Sequence, residues 1–422
     1  MTTRLEVLPH GVGQYDRHAE ALRWSLPAGE GAAVAGNLDW DLGSLGEVPV
    51  AAADLVRLAA AAYLADRHTP RPTTFTRTIE LTVHLSDPTA WNGELGEHLQ
   101  SLLAWLTGDS WILRGAPGPS WVAIPSHVST RADDVMLLSG GLDSLCGAAA
   151  HLGDEAQRIH LSHIDGNNAV RKAQNAIVAW LKPKSPKTFR HQRIEFREPG
   201  GAEESSSRSR SLLFMALATA VAAASGCRRV TVPENGFTSI NPPLTAARGG
   251  ALSTRSTHPD TFARINHLID RLALPVTISN PYGYYTKGEL LDHAHAHVGP
   301  QLLTVAAASL SCSKLDGQYY AGGNSNYNCG LCFACIVRRA AFTRGGHSDP
   351  SPYLATSLTG EALHKLHDRR HRDIRDVQQA LIEGIDDTAV LAVGALPADC
   401  DIDAIIDVCH RSLEEIGRVP LP

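Results

Sequence analysis

Residues 135–145 read VMLLSGGLDSL, and this stretch decides both the fold and the chemistry that the chain is expected to perform. Four apolar residues predict a buried strand, and the CGAAAHL that follows predicts a helix. Between them lies a tight glycine turn. The first N–H groups of a helix have no partner inside it, and the helix dipole adds partial positive charge there. The stretch therefore predicts a phosphate site at a helix start.

Each residue type in the turn suits a bound phosphate. The two glycines lack Cβ atoms, so the backbone can bend sharply and approach an anion closely. The two serines offer hydroxyl donors. Asp143 is unexpected beside a phosphate, and its carboxylate indicates either a bound Mg²⁺ or a cap on the amides of the turn. The candidate ligand-binding residues of the turn are Ser139, Gly140, Gly141, Leu142, Asp143 and Ser144.

The turn matches neither of the two commonest phosphate-binding loops. No GK[ST] follows, as a Walker loop requires, and the glycines are not spaced as in GxGxxG. The residues SGGLDS instead match the PP-loop of the ATP pyrophosphatase superfamily, whose members cleave ATP between the α- and β-phosphates. A plain strand-to-helix turn is the alternative, and the complete motif after a buried strand disfavours it.

The composition excludes several classes of function. The chain has 422 residues, enough for two domains with a sizeable core. Its 38 Lys and Arg against 44 Asp and Glu give a net charge of −6, which argues against general nucleic-acid binding. No stretch approaches the ~20 apolar residues of a membrane span, and no signal-peptide pattern opens the sequence. We therefore expect a cytoplasmic protein with no membrane association.

Alternating patterns divide the chain into three predicted parts. Residues 1–130 combine helix and strand patterns and predict a small α/β domain of unknown role. Residues 131–345 alternate strand with helix, which predicts a Rossmann-like parallel sheet with helices on both faces. Ligands of such sheets lie at the carboxyl ends of strands, where the glycine turn is predicted to lie. Residues 346–422 predict a helical extension, with helices over 361–382 and 402–416.

Four of the eight cysteines form a cluster spaced Cys312-x16-Cys329-x2-Cys332-x2-Cys335. Four thiolates suit tetrahedral Zn²⁺, and the x2 steps let neighbouring ligands surround one ion while Cys312 closes the shell. Because every ligand is cysteine, a structural role is favoured over a catalytic one. An iron–sulfur cluster also takes four thiolates and is the alternative. The clustering argues against a disulfide framework.

Together, the glycine motif and the cysteine spacing resemble the 7-cyano-7-deazaguanine synthase family, known as QueC. Those enzymes combine a PP-loop with a zinc site written CGxCxxC after an upstream cysteine. Further segments resemble the family in the same order, namely Arg210 and Ser211 at a predicted helix start, residues 258–260 and residues 280–289. The resemblance covers roughly residues 133–345, about half of the chain.

The chain also departs from the minimal members of that family. They lack counterparts of residues 1–130 and 346–422, and residues 235–257 are longer than the equivalent loop. Ser211 stands where the family has asparagine. Extended relatives of this kind occur in bacterial anti-phage systems, including the Qat system and a type of CBASS, and the chain resembles these, in particular the component called QatC.

The resemblance implies an ATP-dependent ligase that activates a 7-deazaguanine carboxylate by adenylation, with Mg²⁺ and structural Zn²⁺. In the minimal family the substrate is 7-carboxy-7-deazaguanine, the amine is ammonia, and the amide is activated again to give a nitrile. In a defence relative, the amine is expected to belong to a partner protein, presented by the N-terminal domain or by residues 235–257. The alternative for this chain is synthesis of 7-cyano-7-deazaguanine from ammonia, as in the minimal family. Both homo- and hetero-oligomers are compatible with this function.

Individual residues receive predicted roles in that reaction. Asp143 is expected near the metal, and Lys287 is the candidate mobile cation at the phosphates. Arg210, at a predicted helix start, is a second candidate for phosphate contact, and Ser211 is expected in the ligand site. Glu234 follows a predicted strand and is expected to accept the donor edge of a guanine-like ring.

Two functions of other classes remain open. A tRNA-thiolating PP-loop enzyme needs a reactive cysteine near the loop and a basic surface. Cys146 lies close to the motif, but its predicted helical position favours a core role, and the net charge argues against tRNA. The other is a nucleotide-binding subunit of a defence complex without catalysis, against which the intact Ser139, Asp143 and Ser144 argue. Pyrophosphate release distinguishes these functions.

Overall fold

The fold is built from two sheets and the helices around them. The computed structural model describes residues 2–24, 33–119, 131–185, 188–198, 201–204, 206–245 and 254–422. The first part of the chain forms β1 (Thr2–Pro9), β2 (Glu20–Trp24), β3 (Ala35–Gly36), α1 (Val50–His68), β4 (Thr78–Leu85), α2 (Pro88–Trp91), α3 (Glu94–Thr107) and β5 (Ser110–Pro117).

The remaining elements alternate first and then become helical. The central part forms β6 (Asp134–Leu137), α4 (Leu142–Ala149), β7 (Arg158–Ile164), α5 (Asn168–Leu181), β8 (Arg190–Arg197), α6 (Arg210–Ala224), β9 (Arg229–Thr231), α7 (Gly236–Ile240), α8 (Pro259–Arg271), β10 (Thr277–Ser279), α9 (Lys287–Val298) and α10 (Gln301–Ala306). The last part forms α11 (Phe333–Arg344), α12 (Leu354–Ser357), α13 (Gly360–Glu383), α14 (Asp387–Leu391) and α15 (Ile402–Ile416).

The larger sheet has the strand order β10-β9-β6-β7-β8-β3. Its first five strands are parallel, which confirms the predicted α/β architecture with a parallel sheet. From β6 the chain builds outward through β7 to β8, and then returns to the other side of β6 for β9 and β10. The order therefore reverses between β6 and β9, and ligands of open α/β sheets bind at such a switch point.

The smaller sheet has the order β2-β1-β4-β5, and its strands are all parallel. Helix α1 is rich in alanine, and residues 52–66 of it are buried on every side. A helix that is buried on all sides lies in the core of a protein and not on its surface. The alanine-rich α1 packs on β4 and also on α6 of the central part.

The first and central parts of the chain share one hydrophobic core. Strand β3 pairs antiparallel with β8 at the edge of the larger sheet. Trp24 is fully buried, and its ring centroid lies 5.0 Å from that of Phe196 on β8. The predicted boundary between residues 130 and 131 directly follows residues 120–130, which lie outside the described part of the chain.

The C-terminal helices form a separate cluster with α11. The predicted helices over 361–382 and 402–416 are confirmed as α13 and α15. Helix α15 packs against α11, α9 and α7, so it reaches the carboxyl edge of the larger sheet. Among the described residues, no helix has both the length and the apolar character that a membrane span requires.

Candidate functional site

The glycine turn joins β6 to α4 and is closed by hydrogen bonds of its own hydroxyl groups. Gly140 has φ +93°, a conformation that side chains disfavour, and Gly141 precedes the helix in an extended conformation. The backbone N–H of Gly141 donates to Ser139 Oγ at 3.3 Å. The Ser139 hydroxyl donates to Ser144 Oγ, which donates to the Gly141 carbonyl. The two predicted serines therefore stabilise the shape of the turn through their hydroxyl groups.

Residues 309–312, which lead into the cysteine cluster, lie against the turn. The N–H of Leu310 donates to the Gly140 carbonyl at 2.9 Å. Ser311 Oγ accepts from the N–H of Leu142 at 3.3 Å. Sequence reasoning missed this contact, because only the adjacent Cys312 carries a recognisable pattern.

Asp143 lies at the centre of the site and forms a buried ion pair with Lys287. The Lys287 Nζ lies 2.5 Å from Asp143 Oδ1, and Asn235 Nδ2 donates to Oδ2 at 2.7 Å. Burial alone would raise the pKa of Asp143. The charge of Lys287, with hydrogen bonds from Glu234, Lys287 and Asn235, outweighs burial and lowers this pKa to about 2. Asp143 is therefore a carboxylate at neutral pH.

Glu234, at the carboxyl end of β9, lies beside that carboxylate. Its Oε1 accepts hydrogen bonds from Thr238 Oγ1 at 2.7 Å and from Asn235 Nδ2 at 3.3 Å. Burial, and next the charge of Asp143, raise the pKa of Glu234 well above its usual range. A carboxylate and a second carboxyl group of raised pKa thus lie beside one ammonium group.

Two clefts meet at the turn. The polar cleft, of roughly 700 Å³, is bounded by Asp143, Lys287 and residues 310–312. The apolar cleft, of roughly 530 Å³, is bounded by Phe214 of α6 among other apolar side chains. The residues that line both clefts are Ser139 and Glu234. The arrangement can hold a ligand with an anionic part and a flat apolar part.

The two predicted residues at the start of α6 have different environments. Ser211 lines the apolar cleft, and its Oγ is buried without a hydrogen-bond partner in the described structure. Arg210 is not among the residues that line these two clefts. Its Nη1 lies 3.4 Å from Asp165 Oδ2, and its guanidinium lies over the Phe214 ring. The predicted phosphate contact of Arg210 thus has no support from this placement.

The donor set beside the turn suits Mg²⁺, which prefers oxygen ligands and carboxylates in particular. Asp143 and Glu234 supply two carboxyl groups, and Thr238 adds a hydroxyl within reach of Glu234. Lys287 provides the neutralising cation to Asp143 in the structure. A divalent ion held by these carboxyl groups would leave the Lys287 ammonium for an anionic ligand.

The four predicted cysteines converge. Their sulfur atoms lie within 4.8 Å of one another, all four side chains are buried, and none forms a disulfide. The Cys312–Cys332 and Cys329–Cys335 sulfur distances are 3.9 and 3.8 Å. Zn–S bonds of about 2.3 Å in a tetrahedron place sulfurs about 3.8 Å apart. The cluster can therefore hold a metal ion such as zinc.

Hydrogen bonds to sulfur surround the cluster, as they do in metal sites. Backbone N–H groups of Cys332 and Cys329 donate to Cys329 Sγ and Cys312 Sγ, respectively. Arg370 of α13 donates from Nε to Cys329 Sγ at 3.4 Å and also contacts Asp316. Sequence reasoning missed Arg370, because it lies in a helix segment whose other arginines and histidines are mostly exposed.

A buried arginine joins α11, which carries Cys335, to the glycine turn. Arg338 of α11 is fully buried and donates to Ser309 Oγ at 2.8 Å, to the Ala306 carbonyl at 2.6 Å and to Ser351 Oγ at 2.7 Å. It therefore fixes the start of residues 309–312, which contact Gly140 and Leu142.

The structure thus brings the predicted Ser139, Asp143, Ser144, Glu234 and Lys287 to one point at the carboxyl edge of the larger sheet. It adds Asn235 and Thr238, which follow the same strand as Glu234 and whose proximity in sequence is their only signal. In comparisons with known proteins, no family model matches this chain and no curated protein matches it. The function therefore has to be inferred from the geometry of the site.

Proposed function

We propose that the chain binds ATP at the glycine turn and uses it to activate the carboxylate of a 7-deazaguanine by adenylation. The main support is one observation. The Asp143–Lys287 pair and Glu234 converge on the SGGLDS turn at the point where the strand order reverses. A helix N-terminus, a lysine and two carboxyl groups are what a metal-bound polyphosphate needs.

The two clefts supply the two halves of a nucleotide site. The polar cleft, with the turn and Lys287, suits the phosphates. The apolar cleft between β6, β9 and α6 suits a flat purine, and the unpartnered Ser211 hydroxyl faces it as a hydrogen-bonding group. Because Ser139 borders both clefts, a single ligand can extend from one to the other.

Adenylation overcomes the low reactivity of a carboxylate toward amines. A carboxylate oxygen attacks the α-phosphorus, the bond from that phosphorus to the bridging oxygen of the β-phosphate breaks, and pyrophosphate leaves. The amine nitrogen then attacks the carbonyl carbon, AMP leaves with the electron pair of the C–O bond, and the amine loses a proton. Lys287 would neutralise charge on the departing phosphates. Asp143 and Glu234 would hold Mg²⁺, which adds to that neutralisation.

The amine is proposed to belong to a partner protein. This part of the proposal follows from the resemblance to extended defence relatives and from the residues beyond the minimal family. Strands β2, β1, β4 and β5 of the first part of the chain form a second sheet, and none of the described residues of this sheet lines the polar cleft. Residues 246–253 of the long loop lie outside the described residues.

A pyrophosphate-release assay tests the proposal. Purified protein is incubated with ATP and 7-carboxy-7-deazaguanine, with and without ammonium or the candidate partner protein. We expect release that requires the carboxylate and falls at least about 100-fold in Lys287→Met, since the lysine is proposed to act on the leaving group. Lys365→Met, at an exposed position of α13, is the matched control. Rapid nitrile formation from ammonium alone would contradict the protein acceptor.

A further inference from the structure

The C-terminal helix α15 contacts the residues on either side of Lys287, the partner of Asp143. Glu415 of α15 is buried, and its carboxylate accepts a hydrogen bond from Thr286 Oγ1 and one from the backbone N–H of Gly288 at 3.2 Å. Thr286 and Gly288 flank Lys287 in the sequence. One carboxylate from the C-terminal extension therefore holds the turn that carries the lysine.

The contact is close enough to require a glycine. A Cβ atom at Gly288 would lie 2.8 and 2.9 Å from the two carboxylate oxygens of Glu415, and 2.5 Å from Arg344 Cδ. Arg344 of α11 also forms an ion pair with Glu415, with its Nε 2.9 Å from Glu415 Oε1. Two hydrogen-bond donors at the start of α9 and the Arg344 guanidinium thus converge on one carboxylate at the N-terminus of α9, where negative charge is stabilised.

The same helix supports the second partner of Asp143. Val408 of α15 packs on Gly236, where an added Cβ would lie 3.0 Å from Val408 Cγ1. Gly236 follows Asn235, whose side chain donates to Asp143. The Gly236 N–H donates to the carbonyl of Tyr285 at 2.8 Å, which joins the turn before α7 to the turn before α9. Both turns that supply partners to Asp143 therefore rest on α15.

We propose that Glu415 is a positioning residue that orients Lys287 toward Asp143 and the polar cleft. The C-terminal extension, which the minimal family lacks, would then complete the phosphate site although it contributes no group to that cleft. Only the identity of the ligand that contacts Lys287 rests on the proposed function. The orientation of the Lys287 ammonium can be measured without any ligand.

The first experiment measures the accessibility of the Lys287 amine. Trace acetylation followed by peptide mass spectrometry compares Glu415→Ala with the native chain, in which Lys287 is 6% exposed. We expect the labelling rate of Lys287 to rise roughly tenfold, as for the loss of a hydrogen bond to a charged group. Glu415→Gln keeps the shape and an acceptor, and should restore most of the protection. Glu414→Gln, on the exposed face of α15, is the matched control.

The second experiment is a double-mutant cycle with inorganic pyrophosphate as the probe. We expect Glu415→Ala to weaken pyrophosphate binding about tenfold in the native chain and to have almost no further effect in Lys287→Met, because coupled residues are not additive. Equal losses in both backgrounds, or unchanged Lys287 labelling in a folded Glu415→Ala protein, would overturn the positioning role. Altered labelling without any pyrophosphate binding would support the positioning role and contradict the proposed function.

Discussion

At the scale of single residues, the site is a buried cluster of paired and hydrogen-bonded groups. Asp143 carries its negative charge opposite Lys287, while burial and the charge of Asp143 both raise the pKa of Glu234. Buried charges are tolerated when they are paired and hydrogen-bonded, and Asn235 supplies the additional donor here. In the proposed complex with a metal-bound phosphate, the carboxyl groups would bind the cation and the Lys287 ammonium group would bind the anion.

The two glycines of the turn differ in their tolerance of a side chain. Gly140 has φ +93°, and a Cβ there would lie 3.2 Å from Gln174 Cγ. We expect Gly140→Ala to lower the free energy of unfolding by about 1 to 3 kcal/mol. Gly141 has φ −79° with no contact closer than 3.4 Å, so Gly141→Ala should cost much less. Urea unfolding of the two variants measures the difference, and equal losses would contradict the described turn.

Glu415 gives the stability of the protein a pH dependence of known sign. Burial, opposed by Thr286 and Arg344, raises the pKa of Glu415 from 4.5 to about 7. Because the folded chain then holds the proton more tightly than the unfolded chain, the contribution of Glu415 to stability declines as the pH rises from about 4.5 to 7. Between pH 4.5 and 7, we expect the free energy of unfolding of the native chain to fall by on the order of 3 kcal/mol relative to that of Glu415→Gln.

Denaturant unfolding at several pH values between 4.5 and 8 tests that expectation. Glu414→Gln should follow the native chain at every pH, because the Glu414 side chain is exposed. Parallel curves for the native chain and Glu415→Gln would show that Glu415 titrates normally in the folded state.

The sequence identified residues whose role is local and missed those whose role depends on packing. Ser139, Asp143 and Ser144 belong to one short motif, and Lys287 lies in the segment 280–289, which was singled out from the sequence alone. Glu415 lies 272 positions after Asp143 in the chain (415 − 143), and no local pattern distinguishes it from the exposed Glu414. Only the approach of α15 to the start of α9 reveals it.

At the scale of elements, the cysteine cluster and the glycine turn are joined by one short segment. Residues 309–312 begin at Ser309, which contacts Arg338, then lie against the glycine turn and end at Cys312 of the cluster. The N–H groups of Leu310 and Leu142 are both engaged in this contact. An ion that fixes Cys312 to the other three cysteines therefore also fixes the segment against the turn, which gives a structural metal an influence on ligand binding.

Loss of the metal should loosen the turn without unfolding the sheet. We expect Cys312→Ser to lose bound metal and to increase amide hydrogen exchange of Leu310 and Leu142 at least about tenfold, while the amides of β7 remain protected. Cys400→Ser, at a partly exposed cysteine outside the cluster, should exchange like the native chain. Elemental analysis of the purified protein should find one zinc per chain. Stoichiometric iron would contradict the zinc assignment.

The pattern of elements was predictable for the central part and not for its connections. The alternation of apolar strands with helices indicated a parallel sheet, and from that sheet we predicted a ligand site at the carboxyl ends of its strands. The position of β3 was not predictable, because two residues, Ala35 and Gly36, carry no strand pattern. They pair with Phe196 and Arg197 only because α1 and Trp24 bring the first part of the chain against β8.

At the scale of the whole molecule, the first part of the chain is integral to the fold. Asp66 of α1 accepts hydrogen bonds from the backbone N–H groups of Arg208 and Ser209, immediately before α6. The first turn of α6 carries Ser211, which lines the apolar cleft. The smaller sheet and α1 therefore stabilise one wall of the proposed nucleotide site from a distance.

Deleting residues 1–119 should consequently prevent folding of the remainder. The deletion exposes the buried face of α6 and the edge of β8, which are covered by α1 and β3. Large exposed apolar faces and open strand edges cause aggregation. We expect an insoluble product, measured by the soluble fraction and by thermal unfolding. A soluble fragment with a cooperative transition would show that the first part is an independent domain.

ATP cleavage at the glycine turn is the central step of the proposed function, and the release of pyrophosphate measures it. Purified protein is given ATP and 7-carboxy-7-deazaguanine, and the release of pyrophosphate is followed. We predict release that depends on the carboxylate and is abolished in Asp143→Ala. Absence of pyrophosphate with every combination of carboxylate, ammonium and partner protein would contradict the account and favour a nucleotide-binding subunit without catalysis.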